Sequence, residues 1–191
     1  MKYILAPFLA ILFFSGCSIK YKTQKIQTLN EKNRNTINEL SLAITKLSTT
    51  IDTTEAKKVA TIATLYPLEL ANEYQLVSPP LFHNTLINMN LKKRGFCYHF
   101  AQDISQELKK LKLKTIELRW ATHKKQNYWE HNAIVLTAKQ QSFKKGVLLD
   151  AWRNSGVLYW DYVQNDTAYN WNEDLRKSRY YGTTKQRGKN N

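Results

Sequence analysis

The sequence predicts an α+β protein, with helices first and an antiparallel sheet after them. Two observations carry this. Up to about residue 111 the apolar residues recur at helical spacing, and beyond it their period falls to about two. The segments of period two are joined by short polar loops, which make hairpins and cannot make parallel crossovers. The chain has 191 residues, 42% of them hydrophobic, enough for one sizeable core and not for two comfortable domains. The expected architecture is a set of N-terminal helices and a central Cys-bearing helix packed on a sheet of about four strands.

The elements follow in order. Ile37, Leu40, Ile44, Leu47 and Ile51 share one helix face. Asp52-Thr53-Thr54-Glu55 has the spacing of a capping box, so a second helix starts there. Its stripe runs Val59, Ile62, Ala63, Tyr66, Leu70, and Pro67 should kink or divide it. Ser78-Pro79-Pro80 is a break. Phe82 to Lys92 reads as one short helix ended by Gly95. From Cys97 the stripe Cys97, Ala101, Ile104, Leu108, Leu111 marks a helix of about four turns, with Cys97 in its first turn on the buried face. Four strands follow: Thr115–Ala121, Asn132–Thr137, Val147–Trp152 and Val157–Val163. Residues 36–175 therefore form a single domain. Arg176–Asn191 carries six Lys/Arg and no acid, and reads as a flexible basic tail.

Residues 1–17, MKYILAPFLAILFFSGC, have one positive residue and then an apolar run of 12, Tyr3 to Phe14. That run is too short to span a bilayer core of about 30 Å and fits a signal peptide. Phe14-Ser15-Gly16-Cys17 resembles the bacterial lipobox, with Phe14 where the family usually has Leu. The resemblance implies cleavage after residue 16 and acyl chains on Cys17. It also implies an anchor in the membrane. Residues 18–35 are polar, basic and free of Pro and Gly, and read as a spacer between lipid and domain. Ser18, rather than Asp, after the acylated Cys implies the outer membrane, with the domain facing the periplasm.

The formal net charge is +14, which favours polyanionic partners. Export argues against nucleic acid, and leaves anionic lipid or cell-envelope polymer. Cys17 and Cys97 are the two cysteines. With lipid on Cys17, Cys97 is a lone thiol in an oxidising compartment, where an unpaired thiol without a use is rare.

Cys97, His131 and Asp150 are the candidate catalytic residues. Cys97 opens a helix, His131 opens a strand, and Asp150 lies near the end of the next strand. If residues 140 and 141 are the centre of the hairpin turn, His131 faces Asp150 directly, with Cβ atoms ~5 Å apart. A helix N-terminus and an imidazolium both stabilise a thiolate, the imidazole serves as base and then as acid, and the carboxylate fixes its tautomer. Gly95 leaves room for substrate, and the Cys97 N–H is a natural oxyanion donor.

Gly95-Phe96-Cys97-Tyr98-His99-Phe100-Ala101, His131-Asn132-Ala133-Ile134-Val135 and Leu148-Leu149-Asp150-Ala151-Trp152 together resemble the core of the transglutaminase-like superfamily of cysteine enzymes, over roughly residues 80–163. The resemblance implies a papain-like core with Cys97 as nucleophile, His131 as base and Asp150 orienting it. Related enzymes complete the oxyanion hole with an upstream aromatic or amide side chain. No Trp precedes Cys97; Asn84 and Asn90 are the available amides, and Asn84 is the candidate, with Trp152 lining the cleft. The function that follows is a cysteine hydrolase or acyltransferase acting on amide bonds of a peptide or cell-envelope polymer. The alternative is a non-catalytic envelope lipoprotein that binds a protein or polymer on the same scaffold, with Cys97 merely buried. No cofactor is implied. Cys97, His99, His123 and His131 match no metal-ligand spacing, so no metal is expected.

Overall fold

The computed structural model describes residues 30–183. Cys17, the segment expected to be a signal peptide and the last eight residues lie outside them. The fold is α+β. Helices α1 (Glu31–Thr45), α2 (Thr53–Glu73), α3 (Pro80–Asn88) and α4 (Cys97–Lys109) precede β1 (Ile116–His123), β2 (His131–Ala138), β3 (Val147–Asn154), β4 (Val157–Tyr162) and β5 (Asn172–Glu173); α5 (Leu175–Tyr181) closes the chain. The strands form one antiparallel sheet in the order β4-β3-β2-β1-β5. Helices α2 and α4 pack over one face of it, with Leu118, Trp120, Ile134, Leu136 and Leu149 inward. The other face carries a smaller cluster of Ala133, Val135, Leu148, Val163 and Trp171.

Caps define the helices. Asn30 Oδ1 accepts from Asn33 N, so α1 starts inside the stretch expected to be a spacer over residues 18–35. Asp52 accepts from Thr54 N and Glu55 N, as its spacing predicted. Glu55 does not return to the cap. Its carboxylate accepts from Lys114 N and Thr115 N and so ties α2 to the start of β1. Pro67 does not divide α2, which runs unbroken to Glu73. A proline inside a helix costs about 3 kcal/mol. The buried residues on both sides of it, Ala63, Leu70 and Ala71, contribute enough packing to offset that. Helix α3 stops at Asn88, short of Lys92, where Asn90 turns the chain at φ 59°.

Two further elements lie beyond the expected four strands. β5 pairs with β1 at Ala121 and Thr122. The boundary between domain and tail at residue 176 does not hold for 176–183. Asp174 caps α5, Ser178 is fully buried and takes the Trp120 N–H on its hydroxyl at 2.8 Å, and Thr183 takes that of Leu118 at 2.9 Å. A short helix rich in Lys and Arg has its few anchoring residues spaced among charges, which is why it reads as tail.

Candidate active site

The thiol is placed from below by a histidine. His83 is fully buried; its Nδ1 accepts from Val77 N at 3.1 Å, so Nε2 carries the proton and donates to Arg94 O at 2.9 Å. Burial holds this ring below the usual imidazole range, and it stays neutral. It braces the loop that leads into α4. Gly95 sits against it at φ 123°, and a Cβ there would overlap the His83 ring. Gly95 is thus demanded by backbone conformation and close approach. The space it leaves is filled by His83 and is no substrate path, contrary to the expectation from sequence. Arg94 then pairs with Asp103 through bonds of 2.7 Å, fixing the loop to α4.

Cys97 is the first residue of α4, and it is buried. His99 caps the helix: its Nδ1 accepts from Gly95 N at 3.1 Å and Phe96 N at 3.2 Å. Burial, aided by the nearby Arg94 charge, pushes His99 down to about 4, so the acceptor nitrogen stays unprotonated. The first intrahelical bond is His99 N to Phe96 O at 3.0 Å. The N–H groups of Cys97 and Tyr98 precede it and stand at the positive end of α4.

His131 Nε2 donates to Asp150 Oδ2 at 2.7 Å, and both residues are almost completely buried, 3% and 1% exposed. The expected register is off by two. Ile134 lies opposite Leu149, so continuing the pairing places His131 opposite Trp152, whose ring is 4.8 Å from the imidazole centroid. Asp150 is then its diagonal neighbour. A slip of two keeps every side chain on its face, so the pair still meets, where a slip of one would have separated it. Trp171 and Tyr169 close over the imidazole with centroids at 5.2 and 4.6 Å.

Burial alone would lower His131. The Asp150 charge and hydrogen bond, with a contribution from Cys97, more than offset it and raise it to about 9. Its Nδ1 is buried and makes no hydrogen bond. Asp150 is buried as well, which by itself raises a carboxyl, but His131 and Arg153 hold it below the usual carboxylate range. Arg153 Nε donates to Asp150 at 3.0 Å and Nη2 to Asp166 at 2.6 Å, while its guanidinium lies 3.8 Å from the centroid of Tyr159. The result is a chain of alternating charge, His131, Asp150, Arg153 and Asp166, buried except at Arg153.

Cys97 and His131 line a cleft of about 540 Å³ with Asn84, Trp152, Arg153 and Tyr169. An adjoining lobe of about 490 Å³ reaches Cys97 past Asn88, Tyr98 and Asn132. Tyr128 and Trp129, 86% and 58% exposed, stand on the rim of both. Asn84 and Trp152 meet at the wall, with Trp152 Nε1 donating to Asn84 Oδ1 at 3.4 Å. The amide that touches the thiol is another one: Asn132 Nδ2 lies 3.8 Å from Cys97 Sγ.

The structure therefore brings Cys97 and His131 to one cleft, with Asp150 buried behind His131, and puts Asn84 and Trp152 in its wall. Sequence reasoning missed His83, Asn132, Lys177 and the Asp166–Trp171 loop. Asn132 had a usable signal, since it directly follows His131 on a strand that ends at the thiol. Among the described residues, no cluster of three His, Cys, Asp or Glu side chains is placed to hold a metal ion. Fold and site define an α+β protein with a buried Cys-His-Asp constellation at the mouth of a cleft. No protein-family model, curated protein or solved structure matches the chain.

Proposed function

We propose that the protein is a cysteine hydrolase or acyltransferase of the cell envelope, tethered by lipid on Cys17 and acting on amide bonds of a peptide or envelope polymer. The observation that carries this is the His131 imidazole: Asp150 holds Nε2 at 2.7 Å, while the buried Nδ1 makes no hydrogen bond, beside a thiol that opens a helix. A thiol at a helix start, with His and Asp on adjacent antiparallel strands, also fits the transglutaminase-like and papain-like arrangement that the sequence resembles.

With His131 raised to about 9, the ring is an imidazolium at neutral pH. The Cys97 thiolate attacks the amide carbonyl carbon, the C–S bond forms and the carbonyl electrons move to oxygen. The Cys97 N–H at the start of α4 donates to that oxyanion. As the C–N bond breaks, His131 Nδ1 gives its proton to the departing amine, leaving a thioester and a neutral imidazole. Water, or an acceptor amine, then attacks the thioester and loses its proton to Nδ1. That proton restores the imidazolium, and collapse of the adduct breaks the C–S bond and expels the Cys97 thiolate. Asp150 keeps Nε2 protonated throughout, so that Nδ1 is the nitrogen that exchanges.

Iodoacetamide labelling of the folded protein tests the assignment. Cys97 should alkylate quickly at neutral pH, and His131→Ala should slow it severalfold or more by removing the cation beside the sulfur. A Cys97 that reacts only on unfolding contradicts the proposal and favours a scaffold that binds without catalysis.

A further inference from the structure

One polar cluster beside the thiol plays no part in the steps above. Asn132 is buried, and its Oδ1 accepts from Trp120 Nε1 at 2.7 Å, Thr122 Oγ1 at 3.2 Å and Lys177 Nζ at 3.2 Å. An indole N–H and an ammonium only donate. Turning the amide over would set its NH2 against both, so its orientation is fixed. Nδ2 is thereby aimed the other way, with one hydrogen for Glu130 Oε1 at 3.0 Å and one for Cys97 Sγ at 3.8 Å. Glu130 is held in turn by Gln126 N at 2.7 Å and Lys177 Nζ at 3.2 Å.

The contacts of the sulfur differ with its charge. As a thiol, Cys97 donates to the Glu130 carbonyl at 3.8 Å. As an anion it has no proton to give, and that carbonyl offers it nothing. What it then needs are donors. Consecutive residues of a strand point to opposite faces, so His131 and Asn132 reach the sulfur from opposite faces at the start of β2. One supplies a cation and the other a fixed N–H.

Taking Cys97 as the nucleophile, we propose that Asn132 is a further catalytic residue, whose Nδ2 donates to Cys97 Sγ and stabilises the sulfur anion from the side opposite His131. Lys177 is its positioning residue: it anchors the amide oxygen and neutralises Glu130. Through it the C-terminal helix α5 becomes part of the site. Around Cys97 the titratable groups are His131, which opens β2, Glu130 just before it, Tyr98 on α4, Tyr169 in the loop after β4 and Lys177 on α5, with His123, Lys124 and Arg153 in the same cleft.

The test is the pH profile of iodoacetamide alkylation of Cys97 in the full chain, for wild type, Asn132→Ala and Lys177→Met. Loss of one hydrogen bond to a charged group should slow Asn132→Ala about tenfold or more at pH 6. The slowing should shrink as pH rises. A merely structural defect changes the rate by a similar factor at every pH. Lys177→Met alters a half-buried residue of α5 and keeps the amide. It should give a smaller slowing of the same shape, and it decides the matter if Asn132→Ala does not fold by near-UV circular dichroism. Wild-type profiles in the variants, or a factor constant with pH, overturn the role of Asn132. A wild-type Cys97 inert in the folded protein is a different result, and overturns the nucleophile itself.

Discussion

Replacing Asp150 by Asn isolates the charge that holds His131. In the wild type, burial works against the imidazolium, and Asp150 with a contribution from Cys97 overcomes it, carrying the ring from 6.5 to about 9. At ~1.4 kcal/mol per pH unit this is on the order of 3 kcal/mol of stabilisation. The sign follows from the direction of the shift. Below 6.5 His131 is protonated in both folded and unfolded chains, and the contribution is complete. Between 6.5 and about 9 only the folded chain keeps the proton, and the contribution declines; above that it is gone. Asp150 has the opposite sense: its folded value is lowered, so its contribution is present above 3.8 and is lost as pH falls through the lower folded value. The pair therefore stabilises most between about pH 4 and 6.5. In Asp150→Asn, burial is left opposed only by Cys97, and His131 should titrate below its ordinary value. Imidazole C–H resonances followed by NMR from pH 5 to 10 would measure this. Denaturant unfolding at pH 6, 7.5 and 9 should give a stability difference between wild type and variant that shrinks as pH rises. A His131 that still titrates near 9 in the variant, or a difference independent of pH, refutes the reasoning.

Three other outcomes are expected. Gly95→Ala combines a positive φ with a clash against His83, and should cost about 2–4 kcal/mol in chemical unfolding; a loss under 0.5 kcal/mol would show that the loop gives way. Truncation after Asp174 removes Lys177 and Ser178, so it should lower the melting temperature by several degrees and slow Cys97 alkylation; an unchanged melting temperature would mean that α5 does not support the domain. Mass spectrometry of the membrane fraction should find a mature chain that starts at an acylated Cys17, and an unmodified Cys17 or a retained Met1 would contradict the anchor.

The stripe from Cys97 to Leu108 and the period-two segments were legible because burial imposes one spacing on a helix and another on a strand. The pairing of His131 with Asp150 was legible for a narrower reason. Parity alone puts both on one face, so a turn misplaced by one residue left the conclusion intact. What escaped was set by contacts distant in sequence. Pro67 continues a helix because Leu70 and Ala71 are buried beyond it, which local propensity does not register. Lys177 and Ser178 look like any solvated residues of a basic segment until the Trp120 strand and Asn132 are placed beside them. His83 likewise acquires its role only through Arg94 and Gly95, eleven and twelve residues on.

Trapping the acyl-enzyme tests the central proposal most directly. Mixed with p-nitrophenyl acetate at neutral pH, the wild type should release a burst of nitrophenolate equal to the protein concentration. Its Cys97 peptide should gain one acetyl group in the mass spectrum, while His131→Ala should acylate much more slowly and Cys97→Ala not at all. No burst, or an acetyl group found on lysines but not on Cys97, would contradict acyl transfer through this thiol.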